Sequence, residues 1–207
     1  MTDAHRKILV LFAHPALQKS RVNRALIRGL DVMDGVTFHD LYERYPRLEI
    51  DVRHEQELLL QHDIVVLQHP FYWYSTPAIL KEYQDLVLEH GWAYGREGRA
   101  LRGKILLNAL TAGGSEEVYC AQGRNRYTVR RLLAPIEQTA SLCGMRYLAP
   151  FVVHGTHALD AAEIELHRRD YHRLLEALRD DRVDLDAAAR ATHVNADIDA
   201  IVRTHTH

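Results

Sequence analysis

Three short segments carry residue types that can do chemistry. The first, His14-Pro-Ala-Leu-Gln-Lys-Ser20-Arg21-Val22-Asn23, joins a hydroxyl and an amide at what reads as a helix start. A helix start offers free backbone N–H groups and the positive end of a dipole, which suits a phosphate monoester. An ordinary N-cap by Ser20 is the plain alternative. The second is His69-Pro70-Phe71-Tyr72-Trp73-Tyr74-Ser-Thr-Pro77, a run of aromatics directly after a strand-like segment. A small core has no use for all of them, so the loop can stack on a planar ring. Packing or a dimer contact would also use such a loop. The third, Thr111-Ala112-Gly113-Gly114-Ser115, has paired glycines that let backbone approach a flat ligand, or that simply make a turn.

Other motifs fail on inspection. Gly98 to Lys104 has P-loop spacing, but Ile105 stands where Ser or Thr must hold magnesium, and the segment precedes a strand. His54-Glu55 lacks the second His of a zinc-protease helix, because position 58 is Leu. Gly113-Gly-Ser115 lacks the closing Gly of a hydrolase elbow. No histidine trio has ligand spacing, and His167 and His172 read as solvated on a helix. A Gly-x-Gly-x-x-Gly fingerprint is absent, which disfavours a Rossmann dinucleotide site.

The elements that must position these loops alternate. Lys7 to Ala13, Asp63 to Gln68 and Lys104 to Thr111 are continuous apolar runs, as strands buried on both faces require. Val36 to Tyr42 alternates like an edge strand, and Tyr147 to His154, broken by Pro150, supplies a fifth. Helices are predicted from Ser20 through Met33, from Asp51 to His62, after Thr76 as N-cap, near Thr128 with Pro135 as a kink, and over Asp160 to Leu178. This order predicts an α/β fold: a flavodoxin-like five-stranded parallel sheet with helices on both faces. Ligands of such sheets bind beyond the C-terminal strand ends where strand order reverses, at the loops after strands one, three and four. The three segments fall there together. Residues 1–179 form the predicted domain, and 180–207 an unassigned polar extension: a short helix around Asp184 to Arg190, a flexible tail or a dimer contact.

Composition narrows the class. The 207 residues are 47% hydrophobic and 26% charged, with net charge -2, so a nucleic-acid binder with a basic stripe is excluded. No apolar stretch is long enough to span a membrane, and the polar start, Met1 to Lys7, does not read as a secretory signal. Cys120 and Cys143 have no metal spacing and read as reduced thiols of a cytoplasmic protein, without a metal.

Between Ile8 and Leu178 the chain resembles the NAD(P)H-quinone oxidoreductases of flavodoxin-like fold. Among them it is most similar to the ancillary flavoproteins of glutathione-regulated potassium-efflux systems. The resemblance rests on Phe-Ala-His14-Pro15, Ser20-x-x-Asn23, Leu41-Tyr42-x-x-Tyr45-Pro46, Gln68 to Pro77, Leu80-Lys81, His90-Gly-Trp-Ala-Tyr-Gly95 and Thr111-x-Gly-Gly114. It implies a flavin, FMN or FAD; FMN is favoured because the most similar members use it and no adenine pocket is legible. His14 and Ser20 to Asn23 would meet its phosphate end, and Phe71 to Tyr74 with Thr111 to Gly114 its isoalloxazine. Tyr119 matches a tyrosine lying over the flavin. Asn125 stands where some members carry a histidine that balances charge on the reduced ring, a departure that removes direct imidazole help at that position. The implied activity is ping-pong, two-electron transfer from NAD(P)H to a quinone. The implied state is a homodimer, an expectation that aromatic-rich loops such as Trp92 to Tyr94 also support. One alternative is a regulatory subunit docked on the cytoplasmic face of a membrane potassium-efflux antiporter. Another is an FMN-dependent azo- or nitroreductase. An electron-transfer flavodoxin is disfavoured by the near-neutral charge.

Overall fold

A computed structural model describes residues 5–203; Met1 to Ala4 and positions 204–207, parts of the polar start and tail read above, lie outside the described residues. The strands are β1 (Ile8–Phe12), β2 (Val36–Asp40), β3 (Ile64–Pro70), β4 (Ile105–Thr111), β5 (Arg146–Tyr147) and β6 (Phe151–Val153). The helices are α1 (Arg21–Ile27), α2 (Leu41–Arg44), α3 (Val52–Gln61), α4 (Ala78–Val87), α5 (Val129–Leu132), α6 (Ala134–Leu142), α7 (Ala161–Arg179), α8 (Leu185–Arg190) and α9 (Ile198–Ile201).

All strand pairs are parallel, in the order β2-β1-β3-β4-β5, with β6 also on β4. The fifth strand is thus split, β5 and β6 flanking Pro150 along the same neighbour. Successive residues of β1 feed opposite sheet faces, which explains its uninterrupted apolar run. Leu9 and Leu11 join one core with α3, α4 and α6, while Ile8 and Val10 join a second with α1 and α7.

Local side chains set several boundaries. The helix predicted through Met33 ends at Ile27, because Gly29 takes a left-handed φ of 87° and a single 3-10 turn follows. Strand β2 stops at Asp40, whose carboxylate accepts from the N–H groups of Tyr42 and Glu43 and starts α2. Helix α4 is capped by Pro77 rather than Thr76, with no side-chain bond. Pro135 divides α5 from α6, since proline fits only the first turn of a helix. Asp160 and Glu163 make a reciprocal capping box on α7. His172 is half-buried on α7, not solvated, its Nε2 lying 3.1 Å from the Leu26 carbonyl; His167 is half-buried as well.

The tail packs. Val183, Ala188, Val194, Ile201 and Val202 are buried in the second core. Asn195 closes the outer edge of β6: its Oδ1 accepts from the Val152 N–H and its Nδ2 donates to the Val152 carbonyl, both at 2.8 Å. Among the described residues no helix is long and apolar enough to cross a membrane.

A buried polar chain fixes the root of the aromatic loop. The Tyr147 hydroxyl donates to Asn108 Oδ1 at 2.8 Å, Asn108 Nδ2 lies 3.0 Å from His69 Nε2, and His69 Nδ1 lies 3.0 Å from the Pro70 carbonyl. The only assignment that satisfies each atom is a neutral ring, accepting at Nε2 and donating from Nδ1. Full burial lowers the His69 pKa to about 4. The unfolded chain binds this proton below a pH of about 6.5. Stability from the neutral ring is therefore complete above that pH and falls as pH drops toward 4. Urea unfolding at pH 7 and pH 4 is expected to show that His69→Gln removes about 3 kcal/mol of the acid loss seen in the native protein. Equal losses in both proteins would contradict a neutral His69.

Candidate flavin site

The strand order reverses between β1 and β3, and there the C-terminal strand ends open into a cleft of about 360 Å³. Pockets of this scale hold small ligands. One wall is the lead into α1: His14, Lys19, Ser20, Arg21, Val22 and Asn23. Pro70, Phe71 and Tyr72 form a second, and Thr111 and Gly113 a third. Thr156 and His157, from the loop after β6, close it. Among the described residues no carboxylate lines the cleft, whereas Lys19 and Arg21 bring positive charge.

Hydrogen bonds lock these walls. Ser20 Oγ caps α1, accepting from the Asn23 N–H at 3.1 Å and from Asn23 Nδ2 at 3.1 Å. Asn23 Nδ2 also donates to Thr111 Oγ1 at 2.9 Å, joining the first loop to the third. Asn23 is 2% exposed, and among the described residues its Oδ1 has no partner. Arg21 Nη2 donates to the Leu159 carbonyl at 2.9 Å across the cleft. His14 is buried; its Nδ1 accepts from the Ala16 N–H at 3.1 Å, and desolvation lowers its pKa. It stands in the cleft as a neutral ring.

The aromatic loop divides in two. Phe71 is buried, its N–H donating to the Thr111 carbonyl at 2.7 Å. Tyr72 and Ser75 exchange two backbone bonds around Trp73 and Tyr74, both left-handed at φ 50° and 63°. Two adjacent positive φ values make a tight hairpin turn that glycine and asparagine ordinarily fill. Such backbone costs free energy and concentrates at functional sites. The turn leaves Trp73 92% exposed, outside the cleft lining. Tyr74 is also outside, its hydroxyl donating to Asn125 Oδ1 at 3.2 Å. Asn125 therefore braces the aromatic loop.

Ala112 is fully buried, its N–H bonded to the Val153 carbonyl at 2.8 Å. The glycines make room for this chain's own side chains: a Cβ on Gly113 would lie 2.8 Å from His157 Nε2, and one on Gly114 2.8 Å from Val118 Cγ2. Tyr119 sits behind the cleft wall, its ring 6.0 Å from Phe71 and 5.6 Å from His154, and burial raises its pKa. Trp92 and Tyr94, taken above as surplus to one core, pack half-buried against this chain's own. Lys19, Thr156 and His157 escaped the sequence reading. The rule about strand ends applies equally to the last strand, and applying it there would have found the latter two.

The family model for the flavodoxin-like fold matches residues 6–175. The glutathione-regulated potassium-efflux system ancillary protein KefG of Pectobacterium atrosepticum is 46% identical over 80% of this chain and 90% of its own length. The structure of general stress protein 14 from Treponema denticola, in complex with FMN, superposes with a TM-score of 0.79 at 39% identity, covering 83% of this chain and 99% of that one. An NADPH-quinone reductase from P. pentosaceus follows at 0.74 and 30% identity, covering 81% and 96%. The strand order, the cleft at its reversal and these matches lead to one conclusion: the chain belongs to the flavodoxin-like family.

Proposed function

We propose that the protein is a flavin-dependent NAD(P)H:quinone oxidoreductase that holds FMN in this cleft. The observation that carries the reading is a ligand-sized cleft at the strand-order reversal with cations, hydroxyls and an aromatic wall but, among the described residues, no carboxylate. That donor set fits a phosphate monoester joined to a flat ring. The unpartnered Asn23 Oδ1 is an acceptor that a ribityl hydroxyl would satisfy. Similarity to a protein solved with FMN and to an NADPH-quinone reductase supports the same reading.

Bound flavin supplies the two-electron chemistry between nicotinamide and quinone. The protein's part is to bind, orient and stabilise charge. Lys19, Arg21, the Ser20 hydroxyl and the first N–H groups of α1 would hold the phosphate. Phe71 and Tyr72 would face the ring, and Trp73 would reach it or a bound substrate from the turn. Among the described residues the Gly113 and Gly114 N–H groups have no protein acceptor, so they would donate to charge that develops on the reduced ring. Tyr119 and Asn125 act one layer back in this reading, supporting Phe71 and Tyr74. The exposed Trp73 and Tyr74 beside the cleft are the surface we assign to a homodimer contact. Two free cysteines suit a reducing, cytoplasmic setting.

A second reading, a regulatory subunit of a potassium-efflux antiporter bound peripherally at the inner membrane face, is favoured by the similarity to KefG. It is compatible with the first. Protein purified with added FMN is expected to be yellow, to bleach anaerobically with NAD(P)H, and to regain colour when a quinone is added. Bleaching that no quinone reverses faster than oxygen does would overturn the reductase reading and leave the regulatory one.

Two variants test the phosphate end. Ser20→Ala is expected to cost about 0.5–2 kcal/mol of stability as a lost cap. It should also weaken FMN by about 1.5–3 kcal/mol while leaving riboflavin, which lacks the phosphate, almost unchanged. Lys19→Gln, at an exposed side chain, should lower the FMN-to-riboflavin ratio by about 0.5–1 kcal/mol with stability intact. Flavin fluorescence titrations measure both. An unchanged ratio in both variants would move the phosphate elsewhere.

A further inference from the structure

The loop after β6 is built as rigidly as the three loops read from the sequence. Its Gly155 N–H donates to the Gly114 carbonyl at 2.9 Å, and its Thr156 N–H to the Ala112 carbonyl at 3.2 Å. Arg21, reaching Leu159, ties its far end to the start of α1. The loop is thus bonded at one end to the loop after β4 and at the other to the start of α1. A Cβ at Gly113 would meet His157 Nε2, the far end of an exposed side chain, at 2.8 Å, so the imidazole lies beside Gly113.

From this geometry we infer that His157, with Thr156, is part of the phosphate-binding end of the cleft, on the loop that Arg21 ties to the start of α1. The inference rests on the FMN reading and extends it. The charged and titratable groups lining the cleft with His157 are Lys19 and Arg21 from the α1 lead, His14 from the β1 loop and Tyr72 from the aromatic loop. His14 accepts at Nδ1 from the Ala16 N–H, and burial lowers its pKa. His154 stands at the root of the loop, half-buried against Tyr119. A phosphate monoester dianion accepts hydrogen bonds on every oxygen. Lys19 and Arg21 supply donors from the lead into α1; the Thr156 hydroxyl and the His157 imidazole add donors from the loop after β6, which Arg21 also reaches at Leu159.

The test uses the full chain, FMN and riboflavin. In His157→Gln the FMN-to-riboflavin affinity ratio is expected to fall roughly tenfold, the scale of one lost hydrogen bond to a charged group. Thermal stability should be unchanged, because the side chain is exposed. In the native protein, the imidazole NMR signals that disappear in His157→Gln should move when FMN is added and stay in place with riboflavin. Equal weakening of both flavins, or equal movement with both, would place His157 against the ring and overturn the inference. So would an unchanged ratio. Failure of the native protein to bind either flavin would instead bring down the FMN reading, and this inference with it.

Discussion

Between the start of α1 and the end of β4 the chain is joined by one buried amide. Asn23 donates to both the Ser20 and Thr111 hydroxyls, so the cap of a helix and the end of a strand share a single group. This tie sets the width of the cleft. The two loops belong to different sheet positions, and β1 and β4 are separated by β3. Backbone pairing places the strands but does not hold the loops beyond them. A second fastening, from Arg21 to Leu159, joins the start of α1 to the loop after β6. A third, the chain from Tyr147 through Asn108 and His69, anchors Pro70 where the aromatic loop begins. All three fastenings are polar. The first and third are buried, and buried polar groups hold one geometry where they are paired, which a binding site needs more than it needs extra stability.

Much of this was legible in the residues. The three runs that became β1, β3 and β4 had to be central strands, since a half-exposed strand would alternate with polar residues instead of running apolar through consecutive positions such as Ile64 to Leu67 and Ile105 to Leu107. Asp51, Thr128 and Asp160 announced helix starts because their side chains bond N–H groups two or three residues on. The misplaced ends have local causes. Asp40 reads as one more residue of an alternating strand until its carboxylate is seen capping α2. The apolar spacing from Val22 to Met33 persists although the helix does not, because Gly29 turns the chain while Leu30 still reaches the core.

The site was legible as loops and less so as side chains. Residue types chose the segments, and topology brought them to one edge. What each side chain does there depended on geometry that leaves little trace in sequence. Left-handed backbone at Trp73 and Tyr74 has no sequence signal, because both residues ordinarily avoid it. The glycines of the third loop looked like space for a ligand, yet each also clears a neighbour in the same chain. The polar composition of the tail hid the few apolar residues that bind it to the second core, and Asn195, which completes an edge strand with a side chain, follows no periodic pattern.

The account stands on where a flavin's two ends lie. A crystal structure of the protein grown with FMN tests that most directly. The account predicts density for the phosphate beside Ser20 and Lys19, with the ring system against Phe71 and the Thr111-to-Gly114 loop. A reversed orientation, with the ring against α1, would contradict it, as would FMN bound anywhere other than the cleft where strand order reverses.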